Sequence, residues 1–339
     1  SARFGTPGFH RIADPAGDLK RAVAGSVLRN RELLNIAAVY RQCRVLEEWR
    51  QHCEQVSTPL DPYFDHLADN RYLEQKISRV ILSDTEIDDD ASAELSAIRR
   101  KIRANSQKVR DLLDRVLRGG SQKYLQEGII TQRDGRYVVP VKAEYRHELP
   151  GLVHDVSSSG ATLFVEPMSV VETNNEIRVL QRKEQEEMER ILAELSAECA
   201  DNTEAIENNF RLILHLNLYF CKGNLGAKMH GVIPKITDSG RIRLVDARHP
   251  LIPANEVVPI SLELGCQFDR LIVTGPNTGG KTVALKTTGL LTLMAMCGLM
   301  IPAGEQSELS VFDHVLVDIG DEQSIEQSLS TFSGHMKKI

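Results

Sequence analysis

At 339 residues the chain is long enough for two or three domains. Its formal charge of −6 gives no support to a wholly basic nucleic-acid binder, although it leaves room for a local basic patch. No apolar run approaches the length of a membrane span, and the first residues show no signal-peptide pattern. The six cysteines form neither a C-x-x-C pair nor a zinc-binding spacing, which indicates the reduced thiols of a cytoplasmic protein. Because the sequence begins without Met and stops within a predicted helix, we expect a fragment.

Residues 1–91 are predicted to form a helical core. From Arg31 to about Cys53 apolar residues recur at helical spacing, which predicts an amphipathic helix. Its apolar face would consist of Leu34, Ala37, Ala38, Val45, Leu46 and Trp49. Pro59 and Pro62 end this pattern, and a shorter helix is predicted from about Tyr63 to Ile81, before an acidic turn at Ser83–Asp90.

A second, more regular pattern runs from Ser92 to about Arg118 and ends at Gly119 and Gly120. Apolar residues alternate in steps of three and four, which is typical of a coiled-coil seam. They are Leu95, Ile98, Ile102, Val109, Leu112 and Val116. Between Ser92 and Gln126 nine Lys or Arg stand against three Asp or Glu, so residues 92–122 predict a long basic helix.

Residues 123–167 change to a β pattern. The strands are predicted at Arg136–Tyr145, Gly151–Val156 and Ala161–Val165, with turns at Asp134-Gly135 and Ser157–Gly160. Five basic residues are balanced by five acidic ones between Lys123 and Val165. Charge alone therefore does not make this β insertion a site that grips phosphates.

A second long helix is predicted from near Met168 to beyond Ile206, within a segment that extends to residue 234. Between Glu176 and Glu207 it carries four basic and ten acidic residues. Two helices of opposite charge flank the β insertion, so the simplest arrangement is an antiparallel pair with the insertion at its tip. The alternative is two unrelated solvated helices.

Residues 235–339 show the strand, loop and helix character of an α/β nucleotide-binding domain. A predicted strand at Leu271–Thr274 leads into a G-x-x-x-x-G-K-T motif at Gly275–Thr282, and a helix follows from about Lys281 to Cys297. Such a glycine-rich turn lets backbone N–H groups surround phosphates at a helix N-terminus. The motif predicts that ATP and Mg²⁺ bind here, with Lys281 on the β- and γ-phosphates and Thr282 on the metal. The remaining predicted ATP-binding residues of the turn are Pro276, Asn277, Thr278, Gly279 and Gly280. The alternative is a glycine-rich turn with an incidental lysine.

Three segments resemble the MutS-type ATPases: GPNTGGKT at 275–282, DARHPL at 246–251 and DIGDEQSIEQSLSTFSGHM at 318–336. Two further runs narrow the resemblance to the second bacterial MutS family, MutS-II. They are RYVVPVKAEYR at 136–146 and VHDVSSSGATLFVEP at 153–167. The resemblance covers nearly the whole chain.

The resemblance implies a multidomain protein with a mostly α-helical core, two long antiparallel lever helices, a small β-rich clamp at their tip, and a truncated α/β P-loop ATPase domain of the ABC type. It also implies a homodimer in which a signature segment of the partner completes each phosphate loop. That segment would be Ser330, Thr331 and Phe332, which could otherwise be an ordinary capped surface helix. Arg248 and His249 would approach the nucleotide, or would belong to a structural turn at a strand end.

Three departures from the family are expected. No mismatch-reading domain precedes the core, so mismatch recognition is not supported. The chain ends at Ile339, before the acidic strand that carries the magnesium-ordering Asp and the catalytic Glu, so we expect ATP binding with little hydrolysis. The family's C-terminal nuclease domain is also absent, so the catalytic residues of both activities are unknown.

For the full-length protein the resemblance implies an ATP-dependent cytoplasmic clamp without membrane association. One implied target is the stalled or collided ribosome and its rRNA, which the ATPase would split into subunits. The other is branched DNA, where binding would suppress homologous recombination. Alternatives are a clamp for DNA junctions only, or a structural module that uses ATP for dimerisation.

Overall fold

The computed structural model describes residues 5–53, 56–275 and 280–317. The chain divides into two compact units, one of Gly8–Ile213 and one that contains Leu214–Ile339. About half of the described residues are helical, and three small β-sheets accompany the helices. Within these residues, no helix combines the length and the apolar character that crossing a membrane requires.

The first unit opens with short helices around one long helix. The elements are α1 (Ala16–Val23), α2 (Asn30–His52), α3 (Asp61–Asp65), α4 (Arg71–Val80), β1 (Ile81–Ser83) and β2 (Glu86–Ile87). The predicted single helix from Tyr63 to Ile81 is wrong, because the Asn70 side chain accepts the N–H of Leu73 at 3.0 Å and starts α4 anew. The predicted acidic turn at Ser83–Asp90 contains part of a β1–β2 hairpin.

The long helix α2 confirms the prediction for Arg31–Cys53 within a residue at each end. Its apolar face is only partly the predicted one. Leu34 and Trp49 are half-buried, whereas Leu33, Ile36 and Tyr40 are fully buried. Because α2 contacts α3, α4, β1 and α6, it is buried on more than one side, which a one-sided periodicity does not anticipate.

Two long helices, α5 (Ala93–Arg118) and α6 (Met168–Asp201), form an antiparallel pair, which we call the helix pair. Near the start of α5, Arg99 binds Glu184 of α6 at 2.7 Å. Near its end, Val109 and Leu113 share a core with Ile177 and Val170. Residue numbers rise on one helix as they fall on the other, so the predicted antiparallel arrangement is confirmed.

The predicted second helix is interrupted. It was expected to run past Ile206, but α6 ends at Asp201 and α7 (Thr203–Lys228) follows. Asn202 donates from its side chain to the carbonyl of Glu198 at 2.8 Å, and Thr203 donates to that of Ala200 at 2.8 Å. These bonds satisfy carbonyls at the end of α6 and allow the chain to break there.

Between the two long helices lies a four-stranded antiparallel sheet, the β module, with strand order β3-β4-β6-β5. Its strands are β3 (Thr131–Arg133), β4 (Arg136–Lys142), β5 (Gly151–Val156) and β6 (Thr162–Pro167). The predicted turn at Asp134-Gly135 is confirmed, with φ angles of 48° and 73° that suit a two-residue hairpin. The predicted strand Arg136–Tyr145 ends early, because Ala143–Tyr145 forms a 3-10 turn.

One face of the β module packs on the helix pair. Val139, Val141 and Val165 share a buried cluster with Val109 and Ile177 of the helices. Fully burying such side chains contributes roughly 1.5–3 kcal/mol each. The module is therefore seated on the end of the pair at which α5 finishes and α6 begins.

The second unit contains a mixed sheet of strand order β7-β10-β8-β9 against α8 (Lys281–Met296). The strands are β7 (Lys235–Thr237), β8 (Ile242–Ala247), β9 (Ile260–Leu264) and β10 (Glu308–Ser310). Strand β10 is parallel to β7 and antiparallel to β8. Leu244, Leu291 and Leu309 form the centre of this unit's core.

The predicted strand at Leu271–Thr274 is wrong for this structure. These residues form no strand, and Ile272 is 85% exposed. A strand is stabilised by hydrogen bonds to a neighbouring strand, and no described segment pairs with Leu271–Thr274. Its β propensity alone is therefore insufficient.

Candidate nucleotide-binding site

The structure describes the two ends of the predicted phosphate loop, at Gly275 and from Gly280 onward. Gly275 and Gly280 adopt φ angles of 148° and 77°, which glycine tolerates and other residues rarely adopt. A Cβ at either position would meet no atom within 4 Å, so backbone conformation and not crowding requires glycine there. Pro276, Asn277, Thr278 and Gly279 lie outside the described residues.

Lys281 connects the two ends of the loop. Its ammonium donates to the carbonyl oxygen of Gly275 at 2.6 Å, so the side chain lies across the loop. Gly280 is the N-cap of α8, and its carbonyl accepts the first helical bond from Ala284 at 2.9 Å. The first turn of α8 thus leaves backbone N–H groups without intrahelical partners beside a lysine, an arrangement suited to a phosphate group.

A cavity of about 490 Å³ adjoins this helix terminus, and we call it the nucleotide cavity. Lys281 and His249 both line it, so the structure brings together two predicted site residues that are 32 positions apart. Its wall also contains apolar side chains that sequence reasoning missed, namely Ile252, Val257, Val258, Ile260, Val273 and Val283. The signal that could have found part of this wall is the apolar pair Val257-Val258, which follows the DARHPL segment after five residues.

Arg248 does not line the nucleotide cavity. Its backbone N–H donates to the carbonyl of Pro302 at 2.8 Å, and its side chain lines a neighbouring cavity. Asp246, two residues earlier, has a φ of 48° and lies where the pairing of β8 with β9 shifts register, which indicates a β-bulge near the end of β8. The predicted contact of Arg248 with ATP stays a prediction.

Thr282 is exposed at the first turn of α8, and its role as a magnesium ligand stays a prediction. Ser330, Thr331 and Phe332 lie outside the described residues. Within the described ranges no group of three or more His, Cys, Asp or Glu residues could hold a metal ion.

A second candidate site is the solvent face of α5. Of its basic residues, Arg99 pairs with Glu184 and Asp89, and Arg103 pairs with Asp89. Six others are exposed and form no ion pair among the described residues: Arg100, Lys101, Lys108, Arg110, Arg115 and Arg118. A single ion pair, Arg99–Glu184, directly joins α5 to α6 in the described part. Most of the positive charge on α5 is thus not neutralised by the acidic helix beside it.

Comparison with known proteins first shows which class of protein domain the C-terminal part of the chain resembles. A family model described as MutS domain V matches residues 271–339, the segment that contains the phosphate loop. The relatives are more specific, and the chain belongs to the MutS2-type proteins of this family.

The similarity extends over almost all of the chain. It is 48% identical over 340 residues to Endonuclease MutS2 of Ruminiclostridium cellulolyticum, covering 99% of this chain and 43% of that protein. It is 47% identical over 339 residues to Endonuclease MutS2 of Clostridium perfringens strain SM101, and this alignment covers 99% of this chain and 43% of that protein. For Endonuclease MutS2 of Acetivibrio thermocellus the identity is 47% over 343 residues, with 100% and 43% covered. The chain therefore spans less than half the length of these curated relatives.

Proposed function

We propose that the chain belongs to an ATP-dependent clamp protein that works as a homodimer. ATP binding at Gly275–Thr282 would draw two copies together, and the helix pair would carry this closure to the β modules. The observation that carries the proposal is the Lys281–Gly275 contact of 2.6 Å at the N-terminus of α8, beside a cavity large enough for a base.

The described residues fit a nucleoside triphosphate. The ammonium of Lys281 and the backbone N–H groups at the start of α8 would neutralise and orient the phosphates, and Val257 and Val258 would cover a face of the base. Thr282 would hold Mg²⁺, and Ser330, Thr331 and Phe332 of a second copy would complete the site. ATP with Mg²⁺ supplies the charge that closes the dimer and the phosphoanhydride bond that hydrolysis would break.

The helix pair suits a lever role. Helix α5 has 26 residues and is therefore about 39 Å long. Its apolar seam continues into the β module through Val109 and Leu113, so module and helices share one core. Because close-packed cores deform little, we propose that a rotation at one end of the pair displaces the β module as a rigid body.

The exposed cations of α5 support a nucleic-acid target. Exposed lysine and arginine side chains that form no ion pair with a carboxylate can replace the counterions of a phosphate backbone. We propose two targets, branched DNA, where binding would suppress homologous recombination, and collided ribosomes, which the dimer would split while contacting rRNA. The endonuclease activity in the relatives' name is proposed for the whole protein, with no nuclease residue assigned in this chain.

Nucleotide binding is tested with a fluorescent ATP analogue and the variant Lys281→Ala. We expect at least a tenfold loss of affinity because the variant removes the cation at the loop. Lys286→Ala is the matched control, since Lys286 is an exposed lysine on the same helix that does not line the nucleotide cavity. Equal affinities for Lys281→Ala and the unsubstituted chain would contradict the assignment.

The target is tested by competition between collided ribosomes and a four-way DNA junction. The full-length protein is used with a non-hydrolysable ATP analogue at physiological salt. Preferential ribosome binding supports a translation role, and preferential junction binding supports recombination control. ATP-driven dimerisation without affinity for either would contradict the clamp and favour a purely structural dimerisation module.

A further inference from the structure

A second cavity lies in the same unit as the nucleotide cavity and has a volume of about 630 Å³. We call it the apolar cavity. Its inner surface is made by Leu290 and Met294 of α8, by Met229 after α7, and by Leu299. Met294 is nearly fully buried and the other three are half-buried. The volume is in the range that binds small organic molecules.

The ionisable side chains that line the apolar cavity are all basic. Lys228 and Arg248 line it, together with His230 and His249, and none of its lining residues is Asp or Glu. Neither Lys228 nor Arg248 forms an ion pair within the described part of the chain. An apolar surface with cations and no compensating carboxylate favours a ligand with an apolar body and a negative charge.

The two cavities share a wall. His249, Ile252 and Val257 line both of them. The wall is a loop of two tight turns, in which Ile252 donates to His249 at 3.1 Å and Val257 donates to Pro253 at 3.0 Å. A ligand that presses on one side of this short loop changes the space on the other side.

We propose that the apolar cavity binds a small organic anion with an apolar body, and that its occupancy alters the affinity of the nucleotide cavity through residues 249–257. Binding of the anion stands independently of the function proposed above, whereas the coupling rests on it. Linkage requires the effect to be reciprocal, so the nucleotide must change the affinity for the anion by the same factor.

The binding test uses the fluorescent dye anilinonaphthalene sulfonate and its neutral analogue phenylnaphthylamine. Ala254 is an exposed residue that lines the apolar cavity, so Ala254→Trp fills the cavity without entering the core. We expect at least a tenfold loss of sulfonate affinity. Ala227→Trp is the matched control, because Ala227 is exposed and does not line the cavity. Equal affinities of the two variants would overturn the site.

Charge recognition is tested with Arg248→Gln. We expect the sulfonate to bind at least fivefold more weakly, while the neutral analogue is unaffected. Equal losses for both dyes would overturn the role of the cation. Full competitive displacement of the sulfonate from the unsubstituted chain by stoichiometric ATP, with no complex that holds both ligands, would place the dye in the nucleotide cavity and would also overturn the proposal.

The coupling is measured by equilibrium dialysis of radiolabelled ATP with and without saturating sulfonate. We expect the affinity for ATP to change at least threefold, with a matching change in dye affinity. Unchanged ATP affinity with both ligands bound would overturn the coupling. If the dye binds as predicted but ATP does not bind at all, the proposed function fails and the anion site is retained.

Discussion

Arg136 and Glu166 form an ion pair inside the β module, with the Arg136 Nη1 atom 2.9 Å and 3.1 Å from the two carboxylate oxygens. Glu166 is fully buried. Asn174 of α6 donates to the same carboxylate at 2.7 Å, and His154 Nε2 lies 2.5 Å from it. One buried carboxylate thus connects three strands of the module to the helix pair.

Removing the cation of this group should destabilise the first unit strongly. In Arg136→Met the Glu166 carboxylate loses its main partner, and breaking a buried pair costs about 3–5 kcal/mol. Urea denaturation measures the change in the free energy of unfolding. Arg182→Met is the control, because Arg182 is 83% exposed in its pair with Glu186, and we expect a change below about 1 kcal/mol. Similar losses in the two variants would show that the Glu166 carboxylate does not depend on Arg136.

Gly226 of α7 is a position where close packing requires glycine. A Cβ there would clash with Met300 Sδ and would lie 2.9 Å from Met300 Cβ. Gly226→Ala should therefore destabilise the second unit by about 1–3 kcal/mol. Gly223→Ala, on the same helix with no atom within 4 Å of the added Cβ, should instead stabilise it by about 0.5–1 kcal/mol.

Thermal unfolding of both glycine variants measures these opposite shifts. Met300→Gly provides a further check, because it removes every side-chain atom that the new methyl group would contact, including the Cβ atom. In that background Gly226→Ala should become nearly neutral. Destabilisation that persists without the Met300 side chain would point to a backbone effect and contradict the packing argument.

Because two thiols are buried, we expect the free energy of unfolding to fall at alkaline pH. Burial raises the pKa of Cys43 and of Cys199 to about 12. In the unfolded chain thiols titrate near about 8.5, so above that pH the unfolded state binds fewer protons than the folded state. The stabilisation is complete below the unfolded pKa and is lost as the pH rises toward about 12.

The alkaline effect is measured as the urea midpoint between about pH 8 and about pH 11. We expect a decline that becomes shallower in the double variant Cys43→Ala, Cys199→Ala. The exposed pair Cys221→Ala, Cys266→Ala is the matched control and should retain the full decline. If the urea midpoint falls equally with pH in both double variants, the buried thiols are not the cause of the alkaline loss of stability.

The unpaired cations of α5 should set the salt dependence of nucleic-acid binding. Replacing Arg115 and Arg118 with Gln removes two candidate phosphate contacts, so the slope of log K against log salt should fall by about 2. Fluorescence anisotropy of the full-length protein on a four-way junction measures this slope. The matched control is the double variant Arg182→Gln, Lys183→Gln on the acidic helix α6. An equal fall of the slope in this control would exclude a specific role for α5.

Local signals explain which parts of the fold the sequence predicts. The coiled-coil seam predicts α5, and Ser92 marks its start because Ser92 Oγ accepts the Leu95 N–H at 3.0 Å. The dipeptide Asp134-Gly135 predicts a two-residue hairpin. Strand β3 is too short, at three residues, to give a pattern. The Arg136–Glu166 pair joins residues 30 positions apart, so only the tertiary fold brings them together.

The same contrast applies to the candidate site. The motif predicts Gly275 and Lys281 because glycine angles and a helix N-terminus are local properties. Val257 and Val258 escape prediction because a cavity wall is formed by a loop from elsewhere in the chain. Leu271–Thr274 shows the opposite error, since its β propensity is high but no described strand pairs with it.

The position of the β module has a consequence for the order of folding. Ser92 and Glu187 are in contact although 95 residues separate them, and closing so long a loop in a disordered chain is entropically costly. The module folds through contacts between neighbouring strands, and once formed it holds the end of α5 next to the start of α6. We therefore expect the Asp134-Gly135 hairpin to form early in folding. Contacts between α5 and α6 would then form first next to the β module and last near Ser92.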